Sequence, residues 1–149
     1  MYAHRRAAEP AADGAYAASG ERVNRPPRTF GPGPATLLCD GRPVAPVAVA
    51  EDPAARGRGL LGTDGIVGAL WITRCPSVHM VGMRYPIDVA VVDREGVVLQ
   101  VKTLRPWTGA TWPRRGASAT VEAAAGALAQ WGVRTGSRLA YERRFFVTP

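Results

Sequence analysis

The residues that could do nucleophilic or metal chemistry lie close together in the middle of the chain. Cys75, His79 and Met83 recur at intervals of four residues, and each side chain can ligate a soft metal ion. In an extended strand, however, four residues span about 13 Å at ~3.3 Å per residue, whereas ligands of one ion must lie only ~3–4 Å apart. The spacing therefore favours a packed thiol and thioether, and we expect neither a metal nor a cofactor.

The same segment contains the residue types of a cysteine hydrolase. Cys75 is a candidate nucleophile, Asp88 a candidate orienting group, and His79 the candidate base, because the other histidine, His4, lies near the N-terminus. The chain lacks the Gly-x-Ser-x-Gly motif of a serine nucleophile. A small hydrolase-like enzyme that uses Cys75 and His79 is therefore an alternative. We assign no catalytic residue and favour a role without catalysis.

A later segment, residues 105–115, interleaves aromatic with basic side chains. It contains Arg105, Trp107, Trp112, Arg114 and Arg115. Such interleaving is typical of proteins that bind single-stranded nucleic acid. The alternative is a loop that folds over the domain with its tryptophans half buried. We favour a small ligand or a protein as the partner over nucleic acid, and keep weak binding of single strands as an alternative.

Composition limits the class of protein. The chain has 149 residues, 46% of them apolar and 21% charged, which excludes a collagen, a bare coiled coil and a fully disordered protein. Its net charge of +7 comes almost wholly from arginine, since Lys102 is the only lysine. With abundant alanine and glycine, that bias is more typical of GC-rich coding than of a selected binding surface. No run of 18 apolar residues occurs, so we expect no membrane-spanning helix.

The first 34 residues differ from the rest of the chain. They are rich in Ala, Pro, Arg and Gly, and Val23 is their only large aliphatic residue. Such a segment cannot bury enough apolar surface to offset the entropy lost on ordering. We predict a disordered tail over residues 1–34 and a single domain over residues 35–146. No apolar stretch of a secretion signal follows the early basic residues, so we expect a cytoplasmic protein.

Short strands separated by turn residues fill the predicted domain. Asp40-Gly41 predicts a hairpin between strands 35–39 and 42–50, the second an edge strand because it contains two prolines. Asp52-Pro53 predicts the start of a helix that runs to about Leu61. Further strands are predicted at 66–72, 77–80, 87–93, 97–104, 118–123 and 137–143, with a second helix at 124–131. The expected fold is mainly β, a compact barrel or sandwich of about seven short strands with two short helices.

Four sequence blocks in order resemble the domain-of-unknown-function family 192. They are the arginine-rich segment Ala54–Gly62, the segment Cys75–Val89 with Tyr85-Pro86-Ile87-Asp88, then Leu104-Arg105-Pro106-Trp107, and Val121-Glu122 followed by Gly126. The resemblance spans residues 44–142 and implies a compact, mainly β fold without an assigned activity.

The hairpin of strands 87–93 and 97–104 leads to the main predictions about the site. A three-residue turn, Arg94-Glu95-Gly96, places Asp88 opposite Lys102. We expect the long loop to cover Asp88, whose carboxylate then needs further hydrogen bonds. The hairpin also brings segments 77–88 and 105–115 together. We therefore predict a polar, net-positive site for a small anionic or carbohydrate-like ligand, lined by His79, Arg84, Asp88, Arg105 and Trp107.

The two cysteines allow two interpretations. Cys39 and Cys75 are 36 positions apart and form no C-x-x-C motif, so neither a zinc site nor a redox pair is indicated. Two free thiols are the favoured interpretation, and one structural disulfide is the alternative.

Overall fold

The computed structural model describes residues 26–143. Within this part of the chain, nine strands and two short helices form one mainly β fold, as predicted. The strands are β1 (Thr29–Phe30), β2 (Ala35–Cys39), β3 (Arg42–Ala50), β4 (Gly65–Ile66), β5 (Ala69–Ile72), β6 (Ile87–Val92), β7 (Val98–Leu104), β8 (Ala119–Ala124) and β9 (Leu139–Arg143). The helices are α1 (Pro53–Arg58) and α2 (Ala127–Gln130). Neither helix in this range is long and apolar enough to span a membrane.

Seven strands form one curved sheet in the order β7-β6-β8-β5-β3-β2-β9, and β1 pairs separately with β4. Only the β3–β5 pair in the large sheet is parallel. The two edges of the sheet approach each other where Val97 forms an isolated bridge with Arg138. The sheet does not close into a full barrel, so the fold is sandwich-like.

Two apolar cores lie on opposite faces of this sheet. The inner core contains Leu37, Val98, Val121 and Leu139, and α2 contributes the fully buried Leu128. The outer core packs the opposite faces of β5 and β6 against residues that follow α1 and β5. Because both of its faces are covered, every residue of β6 is buried. Residues that alternate along β6 and β8 therefore face two different environments.

Several element boundaries differ from those predicted. Helix α1 begins as expected, with the Asp52 carboxylate accepting from the Ala55 N–H at 2.8 Å, but it ends at Arg58 rather than near Leu61. Gly68, with φ +77°, divides the predicted strand 66–72 into β4 and β5. Its backbone lies so close to the Pro46 carbonyl oxygen that a Cβ would clash there. The predicted strand 77–80 is reduced to one bridge between His79 and Ala110.

The prediction that strand β3 lies at an edge is wrong, because β3 pairs with both β2 and β5. Its prolines, Pro43 and Pro46, face only β2, since the pairing with β5 begins at Val47. The missing proline N–H groups therefore leave the central pairing intact.

The predicted tail boundary also lies inside folded chain. Thr29 and Phe30 form β1 with β4, and the backbone N–H of Arg28 donates to Asp64 at 2.9 Å. Residues 1–25, which carry most of the predicted tail, lie outside the described residues.

The register of the β6–β7 hairpin matches the prediction only near the turn. Val92 pairs with Val98 as expected, but a bulge next to Val91 and Val92 shifts the remaining pairs by one residue. Asp88 therefore lies opposite Thr103, and the predicted pairing with Lys102 is wrong.

Candidate functional site

A cleft lies on the outer face of the sheet, between the α1 region and the segment that follows β5. Its volume is about 250 Å³, just below the usual range for small-molecule pockets. The walls are mostly apolar and include Leu60, Leu61, Ile72, Met80 and Met83. The polar side chains include those of Arg56, Arg58, Cys75, His79 and Glu122. These polar groups come from three separate stretches of sequence, which only the fold brings together.

Glu122 is the unusual residue of this cleft. It lies in the middle of β8, only 4% of its surface is exposed, and it lines the cleft. Within residues 26–143 its carboxyl takes part in no hydrogen bond or ion pair. Burial away from water raises the pKa of Glu122 to about 7. The carboxyl is therefore divided between its charged and neutral forms near neutral pH.

Two arginines of α1 lie beside the cleft, and they differ in their hydrogen bonding. The Arg56 guanidinium donates to the backbone carbonyls of Thr73 and Arg74, at 2.8 and 2.9 Å, and is held against the end of β5. Arg58 is exposed on the rim, and within the described chain its guanidinium has no hydrogen-bonded partner. Arg58 is thus the cation available to a ligand.

Cys75 and His79 line the same cleft, as the hydrolase alternative requires. Burial raises the pKa of the Cys75 thiol, and the negative charge of Glu122 raises it further. The thiol donates to the Ser77 carbonyl oxygen at 3.3 Å. Because the thiolate is the reactive form, this environment opposes nucleophilic activation. Both Cys39 and Cys75 are free, so the disulfide alternative is wrong.

His79 is the one predicted site residue that lines the cleft. It is exposed, and its Nδ1 accepts from the Val81 N–H at 3.4 Å. Arg84 instead forms an exposed ion pair with Asp64 at 2.9 Å.

Asp88 faces away from the cleft and is only 3% exposed. Its carboxylate accepts from the Thr103 hydroxyl at 2.7 Å and from the backbone N–H groups of Gly126 and Leu128 at 2.9 and 3.1 Å. The last two bonds cap α2, whose own N-cap residue is a glycine with no side chain to do so. The carboxylate is covered as predicted, but by the start of α2 rather than by the long loop.

The two segments that we expected to meet do so. The Trp107 N–H donates to the Met80 carbonyl at 2.9 Å, and the Met80 N–H donates to the Gly109 carbonyl at 2.9 Å. Arg105 and Trp107 are exposed on this loop and do not line the cleft. The loop thus holds the backbone of Met80, which lines the cleft.

Sequence reasoning missed Glu122, Arg56 and Arg58 as site residues. A signal for Glu122 was present, since a carboxylate in the middle of a buried strand of small, mostly apolar residues is unfavourable unless a partner or ligand compensates its burial. The arginines gave no comparable signal among so many others.

Comparisons with known proteins agree with this architecture. A structure of a protein of unknown function from Novosphingobium aromaticivorans superposes with a TM-score of 0.57 and 22% identity, covering 72% of this chain and 83% of that one. A Sinorhizobium meliloti protein described as a "putative transcription regulator" gives a TM-score of 0.58 at 22% identity, over 72% of this chain and 91% of that one. At this identity the likeness concerns the fold alone.

No curated protein matches the sequence. The model of the family DUF192, described as "Uncharacterized ACR", matches residues 36–141. That span is most of the chain and includes the cleft, α1 and the β6–β7 hairpin. The chain is therefore a member of the DUF192 family.

Proposed function

We propose that this domain is a non-catalytic binding module whose outer cleft takes a small, hydroxylated anion. The observation that carries the proposal is the buried Glu122 carboxyl at the cleft, which has no hydrogen-bonding partner among the described residues. A buried polar group without a hydrogen-bonding partner lowers the stability of the fold by about 1–3 kcal/mol or more. A ligand hydroxyl that donates to it would recover part of that cost.

The side chains at the rim of the cleft indicate the chemistry of the other end of the ligand. Arg58 offers an unpaired guanidinium, and His79 lies on the same cleft. A carboxylate or phosphate placed there would gain charge-assisted hydrogen bonds. The apolar walls between the rim and Glu122 suit the carbon skeleton of a hydroxy acid, a sugar acid or a sugar phosphate.

The binding test uses isotope-labelled protein and four probes: lactate, gluconate, glucose 6-phosphate and glucose. We expect at least one of the three anions to shift the backbone amide signals of the cleft residues Val78 and Val81, and glucose to bind more weakly. Glu122→Gln should weaken binding about 5- to 10-fold, because the amide oxygen accepts a neutral hydrogen bond in place of the stronger bond to a charged carboxylate. Glu142→Gln, which changes an exposed carboxylate on β9, is the matched control and should bind normally.

Binding should also depend on pH. Since the hydroxyl donates best to an ionised carboxylate, affinity should rise between pH 6 and pH 8, as Glu122 passes through its pKa of about 7. The proposal fails if no probe shifts these amides, or if Glu122→Gln binds as well as the parent protein.

The hydrolase alternative keeps one supporting observation, the shared cleft of Cys75 and His79. The binding module does not need the thiol. Cys75→Ala should therefore still bind the same probe, whereas hydrolysis of an ester probe that disappears in Cys75→Ala would favour the enzyme.

A further inference from the structure

The long loop between β7 and β8 carries two exposed indoles. Only three large apolar side chains are exposed within residues 26–143, and two of them are Trp112 (77% exposed) and Trp107 (49%). The alternative of a loop with half-buried tryptophans therefore does not hold for Trp112. A large aromatic side chain left in water contributes little to folding and is a common feature of binding surfaces.

Both indoles are attached to one short piece of backbone. The Trp107 N–H donates to the Met80 carbonyl, and the N–H of Thr111, next to Trp112, donates to the Val78 carbonyl, both at 2.9 Å. These two carbonyls are two residues apart, or roughly 7 Å along an extended chain. The backbone that carries the two tryptophans is thus anchored at both positions on the same short segment, residues 78–80.

Trp107 adopts a conformation that tryptophan seldom takes. Its φ is +69°, in the left-handed region that costs a residue with a Cβ about 1 kcal/mol or more. The tight turn that follows leaves no room for a Cβ at Gly109, which would lie 2.8 Å from the backbone N and O of Arg105. The surrounding bonds hold Trp107 in this conformation while half of its surface faces water.

The charge around the indoles has one sign. No Asp or Glu occurs between Glu95 and Glu122, whereas Lys102, Arg105, Arg114 and Arg115 all lie in that interval. The Lys102 ammonium donates to the Ala110 carbonyl at 3.2 Å, so it lies against the same loop. The guanidinium groups of the three arginines form no hydrogen bond or ion pair within the described chain.

We propose that this loop surface, formed by Arg105, Trp107, Trp112, Arg114 and Arg115, binds single-stranded nucleic acid. The indoles stack on bases, which a duplex would keep stacked on each other, and the arginines contact phosphates. An acidic polysaccharide would also pair with the arginines, and heparin therefore serves as the competing ligand in the test. This surface is separate from the cleft, and the proposal does not depend on the cleft ligand.

The test measures fluorescence anisotropy of labelled oligo(dT), oligo(rU) and a DNA duplex with the full chain at 50 and 200 mM salt. We expect both single strands to bind more tightly than the duplex, and any difference between them to report a preference for DNA or RNA. Trp107→Ala and Trp112→Ala should each weaken binding about 5- to 150-fold, the range for losing one base–aromatic stack. A double change, Arg114→Ala with Arg115→Ala, should reduce the salt dependence.

Controls separate this surface from general charge and from the cleft. Arg94→Ala and Arg138→Ala remove exposed arginines elsewhere and should have little effect on affinity beyond net charge. Glu122→Gln should leave oligonucleotide binding unchanged. The thermal midpoint of each tryptophan variant establishes that it is folded. The proposal is overturned if no single strand binds at 50 mM salt, if the duplex or heparin binds equally well, or if the folded tryptophan variants bind like the parent.

Discussion

Two buried carboxyl groups on neighbouring strands have opposite surroundings. Asp88 on β6 and Glu122 on β8 are 3% and 4% exposed, and their strands pair directly. Asp88 faces the start of α2 and accepts three hydrogen bonds from the protein. Glu122 faces the opposite side of the sheet and accepts none from the described residues. Burial alone therefore does not distinguish a structural carboxylate from one available to a ligand; the count of satisfied bonds does.

The largest change in stability should come from removing the Asp88 carboxylate, whose hydrogen bonds the protein satisfies. Asp88→Ala leaves the buried N–H of Leu128 and the part-buried N–H of Gly126 without their carboxylate partner and removes the cap of α2, so we expect a loss of about 3 kcal/mol in the free energy of unfolding. Chemical denaturation measures it. Asp88→Asn, which keeps an acceptor oxygen, should lose much less. An unfolding midpoint for Asp88→Ala equal to that of the parent protein would contradict the structural role.

Removing the Glu122 carboxyl, which has no partner among the described residues, should instead raise the free energy of unfolding, and only at higher pH. The Glu122 pKa is raised from 4.5 to about 7, so between these values the unfolded chain releases a proton that the folded chain retains. Stability should therefore fall as pH rises from about 4.5 to 7, by up to ~3 kcal/mol, and stay level beyond.

Glu122→Gln abolishes this titration, so the variant should gain stability relative to the parent at pH 8 but not at pH 4. Unfolding curves at the two pH values measure the difference, with Glu142→Gln as the exposed control. Equal pH dependence in Glu122→Gln and the parent would show that Glu122 is ionised in the fold without penalty.

The smallest effect should come from a charge at the surface. The Arg84–Asp64 pair is at 2.9 Å, but the two side chains are 51% and 35% exposed. Water and salt screen such a pair, so Arg84→Ala should cost only about 0.2–1 kcal/mol, and less in high salt. Denaturation at two ionic strengths tests this; a loss above about 2 kcal/mol would mean that the pair is not simply solvated.

The sequence predicted the elements of the fold well because local signals fix them. Asp40-Gly41 specifies the first hairpin, and Asp52-Pro53 specifies the start of α1. The bulge beside Val92 has no comparable local signal. Because of it, Asp88 lies opposite Thr103 rather than opposite the predicted Lys102. The neighbour order of the seven-stranded sheet depends on long-range pairing, which alternation along a strand does not determine.

The site was harder to predict than the fold. Asp88 and Glu122 give the same signal in the sequence, a carboxylate inside an apolar strand, and only the fold shows which one has partners. The meeting of segments 77–88 and 105–115 followed from the hairpin and is confirmed by the bonds between Met80 and the loop. Which residues on those segments face the cleft depends on side-chain direction, so His79 lines it while Arg105 and Trp107 do not.

The most direct test of the central claim is the titration of the Glu122 side-chain carboxyl carbon by NMR in the free protein. Glutamate-labelled protein shows the signal, and its absence in Glu122→Gln assigns it. The buried, unpartnered carboxyl predicts a midpoint of about 7. A midpoint near 4.5, the ordinary value for glutamate, would contradict the claim that this carboxyl is buried away from water without a hydrogen-bonding partner in the described part of the chain.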